Sequence, residues 1–318
     1  EMLKQSAAAS LELIQKGGFS LYKTGSTPYR DLFARLDAPA EEIILGRRYS
    51  TELSVLHNSQ CNSMTGNQRV SFTKRFVDHY LMADGSRYTD KPGHEKNEFV
   101  AEVTGRDPRL SQTILTPGYV QKGTTKEMIN TLSKYTLTGY QYIKYVMEPQ
   151  YDQSNKSPMY FPLFRLAEVY LNYAEALNEW APEQTDEILK YVNLVRERAG
   201  IPQYGTGKDS NGLDKIPAPA DQTAMREAIR RERRVEFNCE YAIRFDDIRR
   251  WKQIDILRGD FYGMNKFGTE KSCDKNNENA YFKRRVEITR AFSEKNYWFP
   301  IHQNQLDKNP NLRQLPKW

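Results

Sequence analysis

The sequence predicts a mainly α protein: helical hairpins form a scaffold, with a large irregular, loop-rich region and few short strands. Three observations predict it. Ala- and Leu-rich stretches at 3–16, 161–180 and 185–199 repeat apolar residues at helical spacing. Residues 47–160 instead interleave Gly, Pro, Asn, Ser and Thr with short apolar runs. Hydrophobic residues make up 38% of the 318 and aromatics 12%, enough apolar material for a folded chain of this length.

The first element, LKQSAAASLELIQK at 3–16, places Leu3, Ala7, Leu11 and Ile14 on one face and stops at Gly17-Gly18. Alone in water such a helix is marginal, so it must pack on a partner. A loop with Tyr22 and Tyr29 leads through RDLFARL to a strand-like EEIILG, closing a first section at 1–46. Within 47–160, RVSFTKRFVDHYLMA (69–83) predicts a helix ended by the Asp84-Gly85 turn, and YQYIKYVME (140–148) a strand. Loops this long on a stable scaffold usually serve binding. In the third section, 161–318, FPLFRLAEVYLNYAEALNEW sets Leu163, Leu166, Tyr170, Ala174 and Leu177 on one helical face. The helix TDEILKYVNLVRERAG follows, with Thr185 as N-cap and Gly200-Ile201-Pro202 as terminator. Two such helices across a short Pro-containing link form a TPR-like hairpin, which needs further helices to bury its faces.

The next helix runs from about Thr223 through MREAIRRERRVEFNCEYAIRFDDIRRWK, with Met225, Ala228, Val235, Cys239 and Ala242 as its apolar stripe. Glu232 falls in phase with that stripe, and a buried carboxylate there requires an arginine partner. The RRERR run resembles a nucleic-acid patch, but Glu227, Glu232, Glu236, Glu240, Asp246 and Asp247 neutralise it at helical spacing. A net charge of +6, from 47 Lys+Arg and 41 Asp+Glu, agrees with a partner that is not nucleic acid.

Composition narrows the chemistry further. No apolar run approaches the roughly 20 residues that span a bilayer. The four histidines leave little for metal or His-based catalysis, and Cys61, Cys239 and Cys273 form neither a zinc motif nor a disulfide framework. His94-Glu95 begins a zinc-protease pattern that lacks its second His, and Asp84–Glu95 has Thr89 where a calcium loop needs Gly. No cofactor and no metal are expected. Any two of the 41 acids are free to serve a glycosidase on sequence grounds, and nothing specific selects a pair.

The segments RLAEVYLNYAEALNE (165–179), LVRERAGIP (194–202), IRRERRVEFNCEYAIRFDDIRRWK (229–252) and YWFPIHQNQLDKNPNLRQLPKW (297–318) together resemble the SusD/RagB family of outer-membrane nutrient-binding lipoproteins. Upstream, AAASLELIQKGGFSL, EEIILGRRYS, VDHYLMADG and GRDPRL fit the same order. His302, Leu315 and Lys317 depart from the family's closing motif, and Tyr241 from the small residue usual after Glu240. The family carries a longer N-terminal portion with a lipidated Cys, so the expectation is of one SusD-like domain over 1–318 without that portion. The resemblance implies a non-enzymatic, cell-surface glycan-binding lipoprotein of the outer membrane. It would be anchored only through an N-terminal lipid absent from this chain, and would deliver oligosaccharide to a SusC-like TonB-dependent transporter. The RagB branch implies peptide capture with the same transporter. Outside the family, a helical-repeat scaffold for protein contacts and a glycosidase remain as alternatives.

A glycan site pairs aromatic platforms with short polar side chains. Trp180, Trp251, Trp298 and Trp318 fall in structural motifs and are read as packing residues. The family's ligand loops correspond to two stretches here, which makes Tyr49, His57, Asn58, Asn62 and Asn67, together with Arg87, Tyr88 and Asp90, the candidate ligand-binding residues.

Overall fold

A computed structural model describes residues 1–128, 136–241, 243–264 and 286–318; Ala242 and Cys273 lie outside the described residues. In chain order the elements are α1 (Met2–Lys16), α2 (Pro28–Phe33), β1 (Ile43–Arg47), α3 (Ser59–Met64), β2 (Ser71–Phe72) and α4 (Lys74–Val77). Then come α5 (Phe99–Val103), α6 (Pro108–Thr113), β3 (Tyr140–Gln141), β4 (Phe161–Arg165), α7 (Leu166–Trp180) and α8 (Thr185–Ala199). The chain closes with α9 (Gln222–Glu236), α10 (Ile243–Arg250), β5 (Gly259–Tyr262), β6 (Val286–Arg290) and α11 (Gln303–Lys308). The protein is mainly helical, and its described strands pair only as two-stranded antiparallel ribbons, β1 with β4, β2 with β3 and β5 with β6.

The largest apolar cluster joins α1, α7, α8 and α9, through Ala7, Leu171, Ala174, Ile188, Val192, Val195 and Ile229. Small alanines on α7 let α1 and α8 approach closely, and each buried Leu or Ile stabilises by about 1.5–3 kcal/mol. The α7–α8 hairpin forms as its periodicity predicts. Gly200 ends α8 at φ 74°, a left-handed conformation that L side chains avoid.

Five local expectations are corrected. Residues 161–165 form a strand rather than the first turn of a helix, because Glu42–Arg47 offers an edge: Ile43 pairs with Arg165, Gly46 with Pro162 and Arg47 with Phe161. Gly46 permits the approach, since a Cβ there would lie 3.3 Å from the Phe161 carbonyl and 3.4 Å from the Tyr160 ring. Thr185 is the first helical residue, after Gln184, and no side chain caps that end. Residues 69–83 hold only β2 and the single turn α4, which Thr73 caps by accepting the Phe76 N–H. The Arg-rich segment breaks after Glu236, with Cys239 at φ 56°, so α9 and α10 are separate helices. In 140–148 only Tyr140 and Gln141 pair as a strand.

The core has an ionic centre. Arg109 pairs with Asp107, Glu232 and Glu236 at 2.7, 2.6 and 2.9 Å. Arg165 reaches Glu42, Glu236 and Glu240 at 2.8, 2.8 and 2.7 Å. Arg198 meets Glu42 at 3.2 Å and also Glu236, while Arg196 meets Glu232 at 3.5 Å and Lys144 meets Glu240 at 2.7 Å. These five cations and five anions are joined into one neutral set, every side chain at most 3% exposed. The arginine partner expected for Glu232 is therefore present twice over. Three guanidinium groups hold the Glu236 carboxyl well below its usual range despite its burial. Burial of single ions at this depth is costly, and only their mutual pairing makes the arrangement stable.

Candidate functional site

The β1–β4 ribbon positions a groove of about 1200 Å³. Arg47 and Tyr49 follow β1 on one wall, and Phe161, Leu163 and Phe164 of β4 lie beside them. Glu168 and Asn172 of α7 and Tyr241, Ile243 and Asp246 around the start of α10 form the opposite wall. The floor is ionic. Arg233 binds Asp247 at 3.0 Å, Arg250 binds Glu175 at 2.5 Å, and Glu240 belongs to the central charge network.

Tyr49 and Phe161 line the groove, and His57 packs against both. Tyr49 stands edge-on to His57, with centroids 4.5 Å apart, and to Phe161 at 5.9 Å, while His57 lies 4.6 Å from Phe161. The Arg47 guanidinium rests 5.3 Å over the Tyr49 ring. His57 is fixed by its backbone, which exchanges two 3.1 Å hydrogen bonds with Ser157. Its Nδ1 accepts the Ser59 N–H at 3.1 Å, so Nε2 carries the proton and donates to the Met159 carbonyl at 2.9 Å. Burial lowers its pKa, which keeps the ring neutral. With both nitrogens occupied, His57 holds Tyr49 in place and has only its ring to offer a ligand.

The other expected residues distribute unequally. The Asn58 amide is taken by the 154–155 turn: Nδ2 donates to Asn155 Oδ1 at 2.9 Å, and Oδ1 accepts from Ser154 and from the Asn155 N–H. Asn62 lies half-buried on α3, and exposed Asn67 approaches Cys61 Sγ at 3.5 Å; neither lines the groove. Tyr88 is 2% exposed. Its hydroxyl donates to the His94 carbonyl and accepts from Asn97, while Arg106 and Lys74 lie 4.0 and 5.0 Å from its ring. It is a core ring and presents no open face. Arg87 is exposed and lines a separate, smaller cavity, and Asp90 is exposed in the turn after it. The structure thus places Tyr49 in the groove with His57 packed against it, leaves Asn58, Asn62 and Asn67 outside the groove lining, and sets the 87–90 stretch apart.

Sequence reasoning missed Arg47, Phe161, Phe164 and Tyr241. The alternation of FPLFR opposite EEIILG was the available signal for the first three, hidden by the helical reading of 161–165. The tryptophans also differ from expectation. Trp180, Trp298 and Trp318 are 46%, 48% and 43% exposed, whereas Trp251 is held by a 2.6 Å bond from Nε1 to Glu175.

Chemically, the groove offers rings beside hydrogen-bonding groups. Phe164 and Tyr241 are exposed, and Asn172, Arg47 and Asp246 offer donors and acceptors between them. Burial raises the Glu168 carboxyl, partly offset by Arg233. Among the described residues no three His, Cys, Asp or Glu side chains are placed to share a metal ion, and no helix is long and apolar enough to cross a membrane.

Comparison with known proteins agrees with this architecture. The model of the SusD family matches residues 41–318. A SusD-like protein from Bacteroides fragilis superposes with a TM-score of 0.74 at 24% identity, covering 100% of this chain and 62% of its own. A SusD-like carbohydrate-binding protein from the same species gives 0.71 at 24% identity, covering 98% of this chain and 61% of its own. The surface glycan-binding protein A of Bacteroides uniformis gives 0.52 at 19% identity, covering 98% and 56%. The chain therefore spans about three-fifths of the length of these solved relatives. A search of functionally curated proteins returns no match.

Proposed function

Since the chain belongs to the SusD family, we propose that it serves in a cell-surface lipoprotein that binds an oligosaccharide without hydrolysing it and passes it to a SusC-like TonB-dependent transporter in the outer membrane. The observation that carries this reading is the groove of about 1200 Å³ whose rim is aromatic and whose floor is hydrogen-bonding. Sugar rings have apolar C–H faces edged by hydroxyls, and Tyr49, Phe161 and Tyr241 beside Asn172 and Asp246 match that pattern. The loop-rich stretch 47–160 supplies Tyr49 and its support, and the helical scaffold holds the opposite wall.

The test is native affinity electrophoresis of the chain in gels containing plant or host polysaccharides. Retardation by one polysaccharide is expected, and Tyr49→Ala should weaken it by about 1–3 kcal/mol, the scale of a lost aromatic stack. The melting temperature of the variant, measured in parallel, separates lost stacking from lost folding. Retardation unchanged by Tyr49→Ala removes this groove as the site. Absence of retardation by any polysaccharide, with retention of peptides, replaces the glycan by the RagB-like alternative, for which the apolar wall at Leu163, Phe164 and Ile243 is suited.

A further inference from the structure

A second cavity, of about 310 Å³, opens beside Arg87, away from the aromatic groove, and Arg75, Asp78, His79 and Arg231 bound it. Arg87 and Arg231 make no side-chain hydrogen bond or ion pair with any described residue. Behind them Arg234 touches His79, Nη1 to Nδ1 at 2.8 Å, while the buried Nε of Arg234 and Nη1 of Arg244 have no hydrogen-bond partner. Arg75 gives its guanidinium to the carbonyls of Ile256 and Asp260, which carry no net charge.

The nearby acids are committed elsewhere. Asp78 is held by Lys74, Glu232 by Arg109 and Arg196, and Asp247 by Arg233 and Arg250. Glu227 is half-exposed and only 3.7 Å from Arg230. Among the described residues the cations at the cavity, Arg75, Arg87 and Arg231 with Arg234 behind them, outnumber Asp78, the acid that lines it. Burial and the surrounding arginines push the His79 imidazole down to about 2, and burial with Arg244 pulls Arg234 down to about 9. Two guanidinium groups on one concave surface, Arg231 half-buried and Arg87 exposed, are stabilised by an oxyanion, whose paired oxygens match the planar N–H fork.

We propose that this cleft binds an anionic oxygen group carried by a glycan, a sulfate ester or a uronate carboxylate, between Arg87 and Arg231. The inference rests on the glycan-binding reading of the chain and makes its ligand an acidic polysaccharide. The cavity holds the charged substituent, and the aromatic groove is left to stack against sugar rings.

The experiment has two arms, both on the full chain. In the first, melting is followed in sodium sulfate against sodium chloride at equal ionic strength, for wild type, Arg87→Ala and Arg231→Gln. Sulfate stabilises folded proteins generally, so the readout is the saturable part of the shift that the variants lose. Expected is a shift of several degrees at millimolar sulfate in wild type, absent in both variants; Arg87 is exposed, so its replacement leaves the fold intact. In the second arm, retardation is compared in chondroitin sulfate, desulfated chondroitin, polygalacturonate and a neutral polysaccharide. Retardation by chondroitin sulfate that is lost on desulfation assigns a sulfate ester, and retardation by desulfated chondroitin or polygalacturonate a uronate; either supports the site if the variants lose it. A sulfate response equal in wild type and both variants overturns it. So does equal retardation by single-stranded DNA, which marks a generic polyanion surface. Retention of the neutral polysaccharide alone, sensitive to Tyr49→Ala, overturns this inference and leaves the proposed function standing.

Discussion

The helix α9 presents two electrostatic worlds one residue apart. Glu232, Arg233 and Glu236 turn inward, where every charge has an opposite partner and the central network sums to zero. Arg231 and Arg234 turn toward Arg87 and His79, where, among the described residues, cations outnumber acids. The contrast teaches that arginine content does not distinguish scaffold from site. What distinguishes them is whether the counter-charge comes from the same chain. A structural network brings its own, while a binding surface leaves the position to a ligand.

The contrast breaks most visibly at Glu236. Glu236→Gln removes the carboxylate shared by Arg109, Arg165 and Arg198 and leaves excess positive charge in the core. A loss of about 3–5 kcal/mol is expected, the cost of breaking one member of a buried ion set, and the denaturant midpoint measures it. A loss below about 1 kcal/mol would mean that water reaches the network and that the two faces of α9 are alike.

Arg231→Gln tests the opposite face. Removing a cation that lacks a partner should leave stability unchanged or raise it by up to about 1 kcal/mol, measured by the same denaturant midpoint without sulfate. Clear destabilisation would place Arg231 with the structural set.

A third effect is one of pH. The native His79 imidazole sits at about 2 against 6.5 in the unfolded chain, so between those values the unfolded state binds a proton that the native state refuses. Stability therefore falls as pH drops below 6.5, by up to about 1.4 kcal/mol per pH unit. His79→Gln should flatten the pH 6.5 to 5 portion of the curve, above the range where carboxylates contribute. An unchanged slope there would mean that His79 already accepts its proton in the native cleft.

Much of this architecture was legible locally. The α1, α7 and α8 stripes and the Gly200 stop follow from spacing within a dozen residues, whereas the RRERR run is neutralised only at Arg230 and Arg233, since Arg231 and Arg234 make no ion pair with a described residue. The failures share one physical origin, a partner distant in sequence. FPLFR reads as helix until the Ile43–Arg47 edge, 114 to 122 residues upstream (161 − 47 and 165 − 43), pairs with it, as Arg47 does with Phe161 and Ile43 with Arg165. Tyr88 reads as a loop aromatic until Lys74 and Arg106 cover its ring. The expected site was legible to the extent of Tyr49 and its neighbours. The second wall of the groove, from Glu168 to Asp246, required the folded chain to bring it across.

The ionic centre also bears on how the molecule assembles. Its pairs join residues far apart along the chain: Arg109 with Glu232 across 123 positions, Arg198 with Glu42 across 156 and Lys144 with Glu240 across 96. Such contacts close long loops and are reached late in folding. Until the last segment arrives, some of these ions would be dehydrated without a partner, so half-assembled cores are penalised and the native state is reached all together. The network thereby acts as a checkpoint on assembly, favouring a single cooperative transition in which the loops of 47–160 and the helices of 161–250 fold or fail as one.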